Sequence, residues 1–518
     1  MDLSRKTRNA LIVVGLFGYA LVFQGSRGLW EPDEGRYTAV ALEMLGSGDW
    51  LHPRLLGEEH LSKPPLTYWA IAASVRLLGR NEWAARLPDA LAFVATTLMV
   101  YALARRLCPA CPWLPALIYA TFGATYVSAN AITTDTLLTL WETLAVWGFV
   151  AWWWGGGRRW PVVVMWLAFG LAFMTKGPPG LLPLLPVVVF AVWRRGEVRP
   201  RSLFHPIGVL LFLAVGLWWF ALLAVEEPER LSYWLSHEVA RRLAGEHRRN
   251  PRWYDAFRVY LPFMLAGTLP WTMALLRGIP CAARVVARAW RRRPLPGDDA
   301  KAFALVWFAL PLAVFAVVPS RLPLYVLPLF VPLALLGGMR LGERALRGRL
   351  ARALLFVWVT ALVGVKGAGA LYGELSLRYA HKGLRAAEDS RVLARRIRVA
   401  AGGEPDQIVF VGSTPFYGLR LYLRSPVGRI RVSGKGKVFE RSGMLEQPLT
   451  DPGTVVVVSR RAAERFKAYC NLNHLRVELI GRVHKLALCR LRHLGPGSQA
   501  EPRLDEHQSD QGGDCQAK

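Results

Sequence analysis

The chain has 518 residues, of which 53% are hydrophobic, with 21 Trp and a formal net charge of +28. That apolar content excludes an ordinary soluble domain. The basic residues fall in short bursts between apolar runs, a membrane-topology pattern that argues against nucleic-acid binding.

The first residues, "MDLSRKTRNALIVVGLFGYALVF", have the look of a signal sequence but lack a small-residue cleavage site, so they read as a retained first helix. Apolar runs recur from Leu11 to Leu371. They make about eleven spans near the ~20 residues a bilayer requires, at 10–26, 88–107, 112–129, 135–154, 161–175, 178–193, 206–225, 257–277, 302–318, 322–339 and 351–371. The expected fold is an all-α polytopic membrane bundle over residues 1–371. Every second connection is basic: Arg5, Lys6 and Arg8; Arg105 and Arg106; Arg158 and Arg159; Arg194 to Arg201; Arg284 to Arg293; Arg340 to Arg352. These face the cytoplasm under the positive-inside rule. Outward-facing segments are then 27–87, the turns near Asp135, Lys176 and Arg321, the loop 226–256, and everything after Leu371.

The first outer loop, 27–87, holds two helix-like stretches. One starts after Pro32 and aligns Tyr37, Val40, Ala41, Met44 and Leu45, ending at Gly46. The other follows "SKPP" and aligns Tyr68, Trp69, Ala72, Val75 and Leu78, ending at Gly79. Both suit a membrane surface or the flank of the bundle.

Residues 372–495 change character. A basic helical stretch at 376–400 precedes the strand-like runs "QIVFVG", "TVVVVS", "RVELIGRV" and "KLALCRL", with a helix at 460–470. This is a small α/β domain outside the membrane, without a Gly-rich phosphate loop. The polar tail 496–518 reads as disordered. Cys108 and Cys111 form a lone CPAC without the ligands a zinc site needs, and Cys470 and Cys489 could pair if oxidised.

Charged residues gather in the outward segments: Asp33 and Glu34, Lys63, Asp135, Lys176, Arg241, Arg242 and His247, Arg321, and with them Tyr325. Singly, each has a plain structural use: Lys176 can snorkel and Asp135 can cap the helix that follows. Together they form cations and acids at one membrane face, a pattern for an anionic substrate in a poorly solvated cavity. The chemistry indicated is group transfer from a lipid phosphate. Cations and a Tyr hydroxyl steady the departing phosphate, a carboxylate serves as base, and a neighbouring acid can hold a divalent ion. The alternative is a polyprenyl-lipid or sugar transporter without transferase chemistry, which would place polar groups near the midplane on broken helices. Glu142, the one acid within a span, lies about seven residues (roughly 10 Å) from the outer end, a depth that suits the floor of an outer cavity.

The stretch "PDEGRYTAVALEMLGSGDWLHPRLLGEEHLSKPPLTYWAIAASVRLLG" resembles the first outer loop of bacterial 4-amino-4-deoxy-L-arabinose transferases and their dolichyl-phosphate-mannose protein mannosyltransferase-like relatives. The motif order continues through "TTD", "TKGPPG", "EHRRNPRWYD" and "PSRLPLYVLP". The resemblance covers about residues 10–335 and implies a GT-C membrane glycosyltransferase in the bacterial cytoplasmic membrane. It implies a polyprenyl (undecaprenyl) phosphate sugar as donor, inversion at the anomeric centre, and a lipid, glycan or protein acceptor. By the same resemblance Asp33 is the catalytic carboxylate with Glu34 beside it. Lys63, Lys176, Arg242, Arg321 and Tyr325 bind the donor phosphate, and Asp135, Arg241 and His247 are further site residues. A divalent metal ion on Glu34 and His247 is also implied. Two positions depart from the family pattern: Ser62 replaces the usual metal-binding Glu, with Glu58, Glu59 or His60 as substitutes, and Arg321 replaces the usual Lys.

Overall fold

The computed structural model describes residues 4–194, 200–226, 228–229, 250–290, 297–369, 389–443, 445, 447–483 and 485–494. The chain forms two compact units: Met1–Arg27, Val40–Pro53 and Glu59–Leu371 in one, and Gly28–Ala39, Arg54–Glu58 and Tyr372–Lys518 in the other.

The first unit is helical. Among the described residues five of its helices are long and apolar enough to cross a membrane: Glu82–Leu107, Pro206–Glu226, Asp298–Val317, Pro323–Leu341 and Arg349–Gly367. A bent pair, Asp255–Gly267 and Thr272–Arg288, meets at 113° and makes a sixth if it counts as one span. Other apolar runs fold into shorter pieces than their length in sequence implies. The run 112–129 divides at Phe122 into Trp113–Thr121 and Gly123–Ser128. The run 178–193 becomes a 3-10 turn, Pro178–Leu181, followed by the helix Leu184–Trp193. Pro178, Pro179 and Pro183 supply no N–H, so one continuous α-helix cannot form there.

The pair that positions the charged turns is Thr134–Trp153 and Trp160–Lys176, joined by a short connection. Their contact is tight because of Gly148: a Cβ there would lie 2.5 Å from Pro161 O and 2.9 Å from Met165 N. Phe149 and Trp152 of one helix share a core with Met165, Trp166 and Phe169 of the other. Since the helices run antiparallel, the start of the first lies beside the end of the second. That brings Asp135 to Lys176.

The second unit holds a six-stranded mixed sheet: β1 Gln407–Val411, β2 Val427–Val432, β3 Val438–Ser442, β4 Thr454–Ser459, β5 Leu475–Val483 and β6 Leu486–His493. Its order is β3-β2-β1-β4-β6-β5, with β1 parallel to both β2 and β4 and the other pairs antiparallel. Every residue of β1 is buried, as expected for a central strand covered on both faces. Ile408, Phe410, Val455 and Val457 pack with Leu393 and Ile397 on one face, and Val409, Val456 and Val458 pack with Phe466 on the other. The four apolar runs emerge as β1, β4, β5 and β6, whereas β2 and β3 are additional. The expected 460–470 helix runs from Ala463 to Leu472 after a 3-10 turn. The basic stretch yields the helix Ser390–Ala401, and its portion at 376–388 lies outside the described residues. Cys470 and Cys489 sit in one core as free, buried thiols.

Candidate functional site

The acids Glu31, Asp33 and Glu34 take different environments within the second unit. Asp33 opens the helix Asp33–Ser47, where a negative charge suits the N-terminal end of the helix dipole. Its side chain is 42% exposed and accepts a 2.7 Å hydrogen bond from Arg36 Nη2. Glu34 is buried and its Oε2 accepts from Trp30 N at 2.8 Å, closing the turn behind it. Of the two, Asp33 is the carboxylate open to solvent.

Glu31, to which sequence patterning assigns no role, is buried to 6% exposure. Its Oε1 accepts from Ser390 Oγ and from Gly418 N, both at 2.6 Å. Among the described residues its Oε2 has no hydrogen-bond partner. Burial pushes the carboxyl up to about 8, against the opposing pull of the Ser390 and Gly418 hydrogen bonds.

The second group lies in the first unit. Asp135 falls in the first turn of Thr134–Trp153, but it does not cap the helix. Thr133 does, its hydroxyl accepting from Asp135 N at 3.3 Å. The Asp135 carboxylate is thereby left for Lys176, whose Nζ donates to Oδ1, and the two side chains are only 8% and 7% exposed. The same ammonium lies 4.2 Å from the centroid of the Tyr325 ring. An ion pair resting on an aromatic face is a compact, desolvated cation site. Glu142 is buried two turns along the same helix, where Lys176 and Asp135 are the charges that act on it.

Arg321 is buried, and its guanidinium is committed to backbone. Nη1 donates to Asn250 O at 2.9 Å and Arg252 O at 3.1 Å, and Nη2 to Ala316 O at 2.7 Å. Asn250 Nδ2 returns a bond to Arg321 O at 3.0 Å, so the residue clasps the segment 250–252 to the turn ahead of Tyr325. Lys63 is half-buried in the turn before the helix Leu66–Leu78. Beside it, Ser62 Oγ and His60 Nε2 are 2.7 Å apart, while Glu58 and Glu59 are exposed. Arg241, Arg242 and His247 lie outside the described residues.

The sequence pattern also misses a buried polar knot at the end of the first helix. Arg27 Nη2 donates to Asn130 O at 2.5 Å, Arg86 Nη1 to Gln24 O and Arg27 O at 2.9 Å, and Lys366 Nζ to Ala20 O at 2.7 Å. These cations satisfy backbone carbonyls that the ends of helices leave open. The signal was present as Arg and Lys close to apolar runs, but their carbonyl partners are invisible in a sequence. Among the described residues no three of His, Cys, Asp and Glu come together as a metal-binding group. Of the two expected metal ligands, Glu34 accepts a backbone amide through Oε2 and His247 lies outside the described residues.

Residues 62–239 match the family model for dolichyl-phosphate-mannose-protein mannosyltransferases. An undecaprenyl phosphate-α-4-amino-4-deoxy-L-arabinose arabinosyl transferase of Pseudomonas fluorescens is 35% identical over 377 residues, covering 71% of this chain and 64% of the relative. Its counterpart in Pseudomonas savastanoi is 33% identical over 379 residues, covering 70% of this chain and 68% of the relative. The chain thus spans somewhat under two thirds of the Pseudomonas fluorescens relative's length. The crystal structure of ArnT from Cupriavidus metallidurans bound to undecaprenyl phosphate superposes with a TM-score of 0.69 at 21% identity, covering 93% of this chain and 96% of that one. The apo form of the same protein gives 0.70. At that identity the superposition establishes a shared GT-C fold. With the Pseudomonas identities, it follows that the chain belongs to the bacterial undecaprenyl phosphate-aminoarabinose arabinosyl transferase family.

Proposed function

We propose that the protein transfers a sugar from a polyprenyl phosphate to an acceptor at the outer face of the bacterial cytoplasmic membrane. The donor named for its relatives, undecaprenyl phosphate-4-amino-4-deoxy-L-arabinose, is the first to test, and lipid A, another envelope glycan or a protein is the acceptor. The observation that carries this reading is the Asp135–Lys176 pair under Tyr325, a buried cation with an adjacent phenol, as a departing lipid phosphate requires. The alternating basic connections support the finer topology: eleven spans, some short or broken, with the α/β unit on the outer side.

In this reaction the acceptor oxygen attacks the anomeric carbon and the carbon–phosphate oxygen bond breaks, with inversion. Undecaprenyl phosphate departs carrying the bonding electrons. Lys63, Lys176 and Arg242 offset its charge and the Tyr325 hydroxyl donates to a phosphate oxygen. Asp33 takes the proton of an attacking hydroxyl, a role its exposure permits. Arg321 holds the turn that carries Tyr325. The test is to incubate protein in liposomes with several polyprenyl-phosphate sugars and an envelope extract, then to identify labelled product by mass spectrometry. Absence of transfer from every donor refutes the reading.

A further inference from the structure

The stretch carrying Asp33 and Glu34 is stitched to distant parts of the second unit. Gly28 N donates to Asp389 Oδ2 at 3.2 Å, Leu29 N to Tyr422 Oη at 2.9 Å, and Ser390 N to Leu29 O at 3.0 Å. Trp30 and Asp389 form an antiparallel bridge. At the centre is the buried Glu31 carboxyl, whose one oxygen receives both the Ser390 hydroxyl and the Gly418 amide.

The fit around that carboxyl is close on two more sides. A Cβ on Gly35 would lie 2.2 Å from Glu31 Oε1 and 2.5 Å from Oε2. A Cβ on Gly418 would lie 2.9 Å from Oε1 and 2.7 Å from Ser390 Oγ. Glu31 therefore touches three elements at once: the first turn of Asp33–Ser47, the start of Ser390–Ala401 and the turn at Gly418. A side chain used only to fill space would not need a buried carboxyl, since an apolar residue avoids the desolvation cost. Its polar oxygen instead fixes the orientation of the turn in which Asp33 and Glu34 stand.

We propose that Glu31 is a positioning residue of the transferase: it keys the Asp33–Glu34 turn to the α/β unit, whose role is to hold that turn in reactive geometry. The proposal rests on the transferase reading above. Misplacing a reactive group by about 1 Å costs on the order of 100-fold in rate, so the effect belongs in kcat. Donor binding depends on other residues and KM for the donor should stay within about threefold.

The experiment uses the full chain in liposomes with undecaprenyl phosphate-4-amino-4-deoxy-L-arabinose as donor and lipid A as acceptor. Glu31→Ala is expected to lower kcat about 100-fold. Glu31→Gln keeps an acceptor oxygen for both hydrogen bonds and should recover kcat to within a few-fold. Ser390→Ala, a milder change that guards against misfolding of Glu31→Ala, should lower kcat about tenfold, the weight of one hydrogen bond. Hydrogen exchange on the same proteins should show lost protection at 28–36 and 417–419 in Glu31→Ala and its return in Glu31→Gln. Unchanged kcat in Glu31→Ala overturns the proposal, as does a raised donor KM with kcat intact. If the wild-type protein transfers nothing, the transferase reading fails, and unchanged exchange in Glu31→Ala then separately removes the anchor.

Discussion

Lys176→Met isolates the energy of the buried pair. The Asp135 and Lys176 side chains are 8% and 7% exposed, so neither has enough water to replace its partner. Removing one member of such a pair leaves a buried charge uncompensated, which costs about 3–5 kcal/mol. Removing both, as in Asp135→Asn with Lys176→Met, leaves no buried charge and should cost roughly 1 kcal/mol, because well-packed neutral replacements of a buried pair are often near neutral. The cycle thus predicts strong non-additivity, with the double variant more stable than Lys176→Met alone. Equilibrium unfolding of the detergent-solubilised protein, with all four forms in the same micelle, gives the numbers. A loss below about 1 kcal/mol for Lys176→Met, or additive effects in the double variant, would refute the claim that the pair is a desolvated unit.

Lys176→Met should also raise KM for the donor about 10- to 150-fold, the range for losing a charged hydrogen bond of about 1.5–3 kcal/mol, as read from initial rates at varied donor. Asp33→Asn is expected to lower kcat by about 10²–10⁴, the usual contribution of a positioned base, with undecaprenyl phosphate binding retained in native mass spectrometry. Arg321→Lys cannot reach three carbonyls and should destabilise the protein by about 1–3 kcal/mol with little change in donor KM. A large KM effect would instead place Arg321 on the phosphate. His52 joins Asp49 and Glu226, with Nε2 3.0 Å from Glu226 Oε2. Desolvation opposes its protonation, but the hydrogen bonds and charges of Glu226 and Asp49 win and raise its pKa. The folded protein then holds a proton that the unfolded chain releases, so this stabilisation is complete below about pH 6.5. It fades as pH rises through the elevated folded value, and His52→Ala should abolish that part of the pH dependence of thermal stability.

The helical unit was legible because apolar length is a strong signal, but where a run breaks depends on single residues. Phe122 divides one run, and Pro178, Pro179 and Pro183 shorten another. In the second unit, β1 and β4 stand out as continuous apolar runs because both faces are covered. β2, "VGRIRV", ends in an alternation of buried Ile430 and Val432 with exposed Arg431, so its charged residues mask the strand. Asp135 and Lys176 were readable as charges at helix ends, although their pairing required the Gly148 contact. Glu31 could not be read at all, since its partners lie 359 and 387 residues away and nothing local marks it.

That separation has a consequence for the order of events on the ribosome. Synthesis at about 5–20 residues per second puts roughly 20–70 s between the emergence of Glu31 and that of Ser390, 359 residues later. Through that interval the acidic turn has none of its hydrogen bonds to residues 389–422 and can take up its native packing only after the bundle's helices have been made. A chain released early, before the α/β segment, would therefore lack the anchors that hold the Asp33–Glu34 turn. Completion of the chain through residue 422 is the step that fixes the turn.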